Sequence, residues 1–225
     1  MSELDWQTFA AIDWAEVFQA SLDTLTMLGV SLAFTVLIGL PLGVLLFLTA
    51  PGQLLARPRL YAAISLLINA LRSLPFIILL IVMIPVTLKL VGSSLGVAGA
   101  IPPLIAAAAP FFARLAENVF REVDPGVIEA SQAMGARLHQ LIFGVLLPES
   151  LPGLVGAITV TAVTLVSYTA MSGVIGGGGL GDLAVRYGYQ RFQTEVMIVT
   201  VALLLVLVQC VQSAGDRLAH RLLKR

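Results

Sequence analysis

No Asp, Glu, Lys or Arg occurs between Thr24 and Ala56. Within that gap TMLGVSLAFTVLIGLPLGVLLFL is apolar and longer than the roughly 20 residues needed to cross a bilayer. Four further apolar blocks follow, which predicts five spans at about 24–48, 61–88, 97–115, 151–171 and 196–214. Polar punctuation separates them: APGQLLARPRLY, then Lys89 with VGSSLG, then a long polar stretch over about 121–149. GVIGGGGLGDLAVRYGYQRFQTE and the basic tail GDRLAHRLLKR complete the pattern. The expectation is an all-α membrane protein, a single multi-pass domain over residues 1–225.

Several spans carry irregularities. Gly39 and Gly43 form a G-x-x-x-G around Pro41, which predicts a kinked helix with a small-residue packing face. The second block contains Asn69 and Arg72 in NALRSLPFIILLIVMIP. An arginine at mid-bilayer costs about 2.5–3.5 kcal/mol on insertion scales. Two placements lower that cost: residues 60–71 near the interface, or Arg72 facing a protein interior. Pro75 bends the chain in either case. Pro102, Pro103 and Pro110 predict an irregular start to the third span.

Composition agrees with a bilayer as solvent. The chain is 58% hydrophobic and 12% charged, against about 25% charged in an ordinary soluble domain. A formal net charge of zero gives no reason to expect a nucleic-acid partner. Cys210 is alone, so no intramolecular disulfide forms; one cysteine and two histidines, His139 and His220, give no zinc spacing. No cofactor is expected. The acidic N-terminus lacks the basic start of a cleavable signal peptide.

The distribution of charge sets an orientation. Five spans put the termini on opposite sides. The tail's side receives Arg57, Arg59, Arg114, Arg121, Arg137, Arg217, Arg221, Lys224 and Arg225; the other receives Lys89, Arg186 and Arg191. Positive residues favour the cytoplasm, so the tail and the segment 121–149 are expected inside and the N-terminus outside.

That cytoplasmic segment has its own pattern. Asp124-Pro125 is a helix start, with an N-cap acid and proline at the first helical position. Gly135 ends a short helix or lets another backbone approach, and ARLHQLIFGVLL can form a second helix before Pro148. Small residues at Ala130, Ser131, Ala133, Gly135 and Ala136, flanked by Glu129 and Arg137, suit docking into a partner's groove. An amphipathic helix resting on headgroups fits the same residues.

The segment resembles the cytoplasmic loop of ABC-importer permeases: E-A-A, three residues, G, nine residues, I-x-L-P. Here it reads Glu129-Ala130-Ser131, three residues, Gly135, nine residues, Val145-Leu146-Leu147-Pro148. Ser131 replaces an alanine and Val145 an isoleucine, both small changes. RSLPFIILLIVMIP, APFFARLAENVFREVDPGVIEASQAMGA and YTAMSGVIGGGGLGDLAVRYGYQRF extend the likeness to the methionine-uptake permeases of bacteria. The resemblance implies a type I importer permease fold in the bacterial inner membrane. It also implies a homodimer with two cytoplasmic ATPase subunits and an external substrate-binding lipoprotein. Glu129, Ala130, Ser131, Gly135, Leu147 and Pro148 would couple the permease to its ATPases. Ion-coupled carriage, or import of another small amino acid or osmoprotectant, are the alternative readings.

Other chemistry is disfavoured. Gly176 and Gly181 have phosphate-loop spacing, but Asp182 follows where lysine is needed. Gly176, Gly178 and Gly181 also satisfy G-x-G-x-x-G, yet an apolar span precedes them in place of a strand. A tight, mobile turn is the expected role of these glycines. None of the chain's acids falls inside a predicted span, which argues against a proton-coupled carrier. The fourth span ends in Ser167, Tyr168, Thr169, Ala170 and Met171. Met171, flexible and apolar, suits a gate, and ordinary packing suits it equally. Ser167 and Tyr168 can contact a passing zwitterion or a neighbouring helix. Tyr187, Tyr189 and Arg191 can contact an external delivery protein or sit in an interface belt.

Overall fold

The computed structural model describes residues 12–223, so the expectations for residues 1–11, Lys224 and Arg225 lie outside the described residues. The described residues form helices and turns with no strand among them. Helix α1 spans Trp14–Thr49 and starts where Asp13 Oδ1 accepts the Ala15 and Glu16 N–H groups at 3.0 and 3.2 Å. It runs as one helix through Pro41. Helix α5, Gly96–Arg121, packs along it. The two glycines are the reason for the close approach. A Cβ at Gly39 would fall 2.9 Å from Ala109 O, and one at Gly43 would fall 2.7 Å from Ala116 Cβ. Both lie inside ordinary contact distance, so only glycine lets the backbones meet here.

The second block, expected as one span over 61–88 with a bend at Pro75, folds as three helices. Pro58–Ser73 forms α2, Phe76–Val82 forms α3, and Ile84–Val91 forms α4, which ends at Gly92 with φ +77°. Between α2 and α3 the chain turns by 104°. The cause is local. Pro75 disfavours the helical region for its predecessor, and Leu74 sits in extended backbone at φ −77°, ψ 130°. The third block departs the other way. Helix α5 continues through Pro102, Pro103 and Pro110 where an irregular start was expected. Pro103 and Pro110 are buried beside Leu104 and Phe112, so packing stabilises a helix that proline propensity disfavours.

The polar stretch folds as α6, Pro125–Ala133, and α7, Leu138–Leu141. A π-helical turn, Ile142–Leu146, joins α7 to α8, Leu147–Ser172. A 3-10 turn, Gly173–Ile175, leads to α9, Gly179–Leu183, then a π-helical segment Ala184–Tyr189 and α10, Thr194–Leu223. Among the described residues four helical stretches are long and apolar enough to cross a membrane, and the count is five where the bent α2–α3 pair is taken as one span.

The two largest apolar cores lie along the bundle. One gathers Met27, Phe76, Leu80, Leu104, Leu165 and Val166. The other places Phe47, Phe120, Ile128, Leu141, Leu146 and Leu154 beneath α6. Ile12, Asp13 and Glu16 share a cleft with Leu183, Tyr187 and Glu195 at the N-terminal end of α1. At its other end Gly52 and Gln53 share a cleft with Pro125, Glu129 and Gln132. Asp13 and Glu16 therefore lie at one end of α1 and the segment around Glu129 at the other. Only 11% of the residues in the most apolar stretch of α10 are fully buried, so that helix leaves a broad face to lipid or another subunit.

Candidate functional site

The segment around Glu129 is a capped helix, a left-handed glycine and a second helix. Asp124 Oδ1 accepts the Gly126 N–H at 2.8 Å, and Pro125 occupies the first helical position. At the far end Gly135 N–H donates to Gln132 O at 2.8 Å and Ala136 N–H to Ser131 O at 3.1 Å. These are the two bonds of a Schellman cap, and Gly135 holds the required left-handed backbone at φ +80°. No atom lies within 4 Å of where a Gly135 Cβ would stand, so the backbone conformation, and no neighbour within this chain, selects glycine.

The two faces of α6 differ. Ile128 and Ser131 turn inward, and Ser131 Oγ donates to Val127 O at 2.8 Å. Glu129, Ala130, Gln132 and Gly135 are exposed. Ser131 thus supports the segment from beneath while Glu129, Ala130 and Gly135 are presented outward. Met134 is 82% exposed and Phe143 71% exposed. Residue-pattern reading passed over this pair, although two large apolar residues amid small and polar ones were the available signal.

The second half of the segment is continuous with α8. Leu147 N–H donates to Ile142 O, five residues back, which widens the turn just before Pro148. Leu141 and Leu146 are fully buried on either side of it. Leu147 is half-buried and Pro148 exposed. A displacement of α6 and α7 therefore has a direct mechanical path into the long helix.

On α8 one stripe is left uncovered. Val160, Ser167 and Met171 are exposed, Thr164 is half-exposed, and Val174 continues the line. The opposite face, with Thr161, Leu165, Thr169 and Ser172, is buried. Ser167 and Met171 are brought together on this stripe. Tyr168 is turned away from it and stacks on Phe76, with ring centroids 4.5 Å apart and planes 6° from parallel. Tyr168 also lines a cavity of about 220 Å³ with Arg72, Phe76 and Phe111.

The glycine-rich stretch is packed from both sides. Gly173, Gly177, Gly179 and Gly181 are buried. Leu180 N–H donates to Thr24 Oγ1, and Gly96 N–H donates to Gly176 O at 2.9 Å. Of the three glycines expected to form a tight turn, Gly176 and Gly178 hold left-handed backbone at φ +80° and +79°, while Gly181 packs closely on the end of α8, where a Cβ would collide with Ala170 O. Beyond them, Tyr187 lies between two arginines, with Arg186 Cζ 4.7 Å and Arg191 Cζ 4.5 Å from its ring centroid. Arg186 also pairs with Glu16 at 2.8 Å and Asp182 at 3.2 Å. Burial alone lowers the Arg186 pKa; the two carboxylates outweigh that and raise it. Tyr189 and Arg191 are exposed, while Tyr187 packs partly against the cluster of Leu180, Leu183 and Val196. Phe192, absent from the expected contact set, is 85% exposed and holds an unusual φ of +56°.

An ion network centred on the buried Glu117 joins α2 to α5. Glu117, only 1% exposed, pairs with Arg114 and with Arg121. Tyr61 donates its hydroxyl to Glu117 Oε1 at 3.1 Å, and Arg114 reaches Ser65 Oγ and Asn69 Oδ1. Arg114, Glu117 and Arg121 stand at the end of the third apolar block of the sequence. Their spacing of three and four residues, which puts them on one helix face, was the signal for a network.

Among known proteins, the family model described as binding-protein-dependent transport system inner membrane component matches residues 39–224. The probable D-methionine transport system permease protein MetI of Vibrio cholerae is 48% identical over 202 residues, covering 90% of each chain. The methionine import system permease protein MetP of Bacillus subtilis is 44% identical over 217 residues, covering 96% of this chain and 98% of the relative. A chain of the MetNI methionine ABC transporter, solved in inward-facing conformations, superposes with a TM-score of 0.91 at 48% identity, covering 93% of this chain and 97% of that one. An amino acid ABC transporter shares the fold at a TM-score of 0.79 and 16% identity. With a matched model over most of its length and relatives of this similarity, the chain belongs to the family of binding-protein-dependent transport system inner membrane components.

Proposed function

We propose that this chain is the permease subunit of an ABC importer that carries methionine, of either hand, across the bacterial inner membrane. One observation carries the mechanism: the exposed α6 surface around Glu129 and Gly135 is followed by a helix that runs without a break into α8. The methionine-transport names of the relatives supply the solute. In this reading the segment docks on a separate ATPase. ATP binding draws two ATPases together, α6 moves with its partner, and α8 tilts so that the stripe holding Ser167 and Met171 opens outward. Hydrolysis and release reverse the motion. The cycle is alternating access, driven by the different affinities of the ATPases for the two states.

The assembly we infer has two copies of this permease, two ATPases and an external substrate-binding lipoprotein. Charge bias supports placing α6 and the tail in the cytoplasm and Tyr189 and Arg191 outside, toward that lipoprotein. The ATPase site belongs to the partners, because Asp182 would repel phosphate at the glycine spacing this chain offers. Glu129, Ala130, Gly135 and Pro148 contribute to the docking surface, with Ser131 and Leu147 supporting it. The test is labelled-methionine uptake in cells with this gene deleted and then restored. ATP-dependent uptake returns with the gene if the reading holds. Uptake that is indifferent to the gene, or driven by an ion gradient with the chain reconstituted alone, overturns it.

A further inference from the structure

Arg72 is an exposed arginine at the mouth of a cavity in the helix bundle. Arg114, Arg121 and Arg186 each have a carboxylate partner, whereas Arg72 enters no ion pair among the described residues. It lies in the last turn of α2, just before the 104° bend, within the pair of helices that together is apolar enough for a span. Its guanidinium carbon stands 5.7 Å from the Phe111 ring centroid. An unpaired cation within a membrane segment is costly, and such residues commonly serve transport. The surroundings are specific. The cavity beside Arg72 has a volume of about 220 Å³ and is walled by Phe76, Phe111 and Tyr168. Drug-sized ligands occupy roughly 300–1,000 Å³, so this space suits something smaller.

We propose that this cavity is a transit site for the solute, in which Arg72 binds the carboxylate and the aromatic walls hold the side chain. The proposal rests on the importer reading above and names the residues that would touch the amino acid inside the membrane. Guanidinium matches carboxylate with two parallel hydrogen bonds, and that pairing neutralises the charge during passage. Phe76, Phe111 and Tyr168 offer ring edges and faces to a thioether or alkyl chain. The position also couples the site to the motor. Tyr168 is on α8, adjacent to Ser167 and one turn from Met171, so tilting α8 would move one wall of the cavity. Solute bound to Arg72 would be gripped in one state of the cycle and released in the other.

The experiment uses the full complex with its lipoprotein in proteoliposomes and photo-methionine, a diazirine analogue, as probe. Crosslinks are mapped by mass spectrometry and uptake is followed with labelled methionine. In the wild type, label is expected on the walls of this cavity, competed by methionine and spared by methioninol, which lacks the carboxylate. Arg72→Gln should lose the cavity label and cut uptake about ten-fold or more, the loss expected for one charged hydrogen-bond pair. Arg72→Lys should recover part of both. Complex yield should stay near wild type in each variant. Intact wild-type uptake without cavity label overturns the transit site and leaves the importer reading standing. So does label competed equally by methioninol, or Arg72→Gln uptake equal to wild type. If Arg72→Gln fails to assemble, the wild-type label and its competition decide alone. Absence of any wild-type methionine uptake overturns the importer reading, and this inference with it.

Discussion

The backbone N–H of Leu180 donates to Thr24 Oγ1 at 2.8 Å, joining the glycine turn after α8 to a helix 156 residues earlier. Both residues are buried, Thr24 at 1% and Leu180 at 2% exposure. The neighbouring Gly179 leaves room for this bond, since a Cβ there would fall 2.6 Å from the same oxygen. The turn that ends α8 is therefore registered on α1, and the Ser172 end of α8 has a fixed reference against which to move.

Thr24→Val removes the acceptor while keeping the shape. The stranded Leu180 N–H should cost about 1–3 kcal/mol, seen as a lower melting temperature of the purified complex. Thr24→Ser should retain most of the stability. An unchanged melting temperature in the valine variant would mean that the turn is held by packing alone.

Gly135 is expected to act through its backbone first and its small size second. Any residue with a Cβ pays for the left-handed conformation, about 1–2 kcal/mol for an ordinary L residue and less for asparagine. Gly135→Leu should reach the membrane and lose ATP-coupled uptake. Gly135→Asn separates the two causes: normal uptake assigns the glycine to the Schellman cap, whereas lost uptake assigns it to close approach by a partner. Normal uptake in the leucine variant would refute a docking role.

Glu129 is exposed and enters no ion pair among the described residues. Glu129→Lys should reduce co-purification of the ATPase subunits with little change in membrane insertion, because it reverses one surface charge. Full complex yield would remove the charged contact from the mechanism.

Glu117→Gln tests the network between α2 and α5. The substitution leaves the Arg114 and Arg121 guanidinium groups without their shared carboxylate. Breaking a buried pair costs about 3–5 kcal/mol, and the half-exposed position of Arg121 puts this variant toward the lower figure. Hydrogen exchange should show faster opening around Tyr61 to Asn69, with α5 little changed. Equal protection of α2 in both proteins would contradict a fastening role.

Met171 projects from the uncovered stripe of α8 with 38% of its surface exposed. Met171→Ala should leak solute through the complex in the absence of ATP, or raise ATP hydrolysis that is uncoupled from transport. Wild-type behaviour in both assays would return Met171 to ordinary packing, the other role its sequence context allows.

The helical, membrane-spanning character was legible because it depends on composition and on run length. Thr24 to Ala56 has no charged residue, and hydrocarbon leaves such a chain few options besides a helix. The helix–glycine–helix between Asp124 and Pro148 was legible too, since capping depends on residues a few positions apart. The break at Pro75 was visible as a bend, but its size was not. A proline restricts its neighbour's backbone locally, and the packing of α2 and α3 on the rest of the bundle selects the angle.

Sequence alone determined that the chain spans a membrane as helices, and it marked the small, bent segment around Gly135. Those features follow from solvent and from local backbone chemistry. Only the tertiary structure decided that Ser131 faces inward, that Tyr168 leaves the stripe of Ser167 and Met171 to stack on Phe76, and that a buried Glu117 draws two arginines to itself. In a helix that is apolar on every side, periodicity does not distinguish the buried face from the open one. That choice is made by which neighbour packs against it.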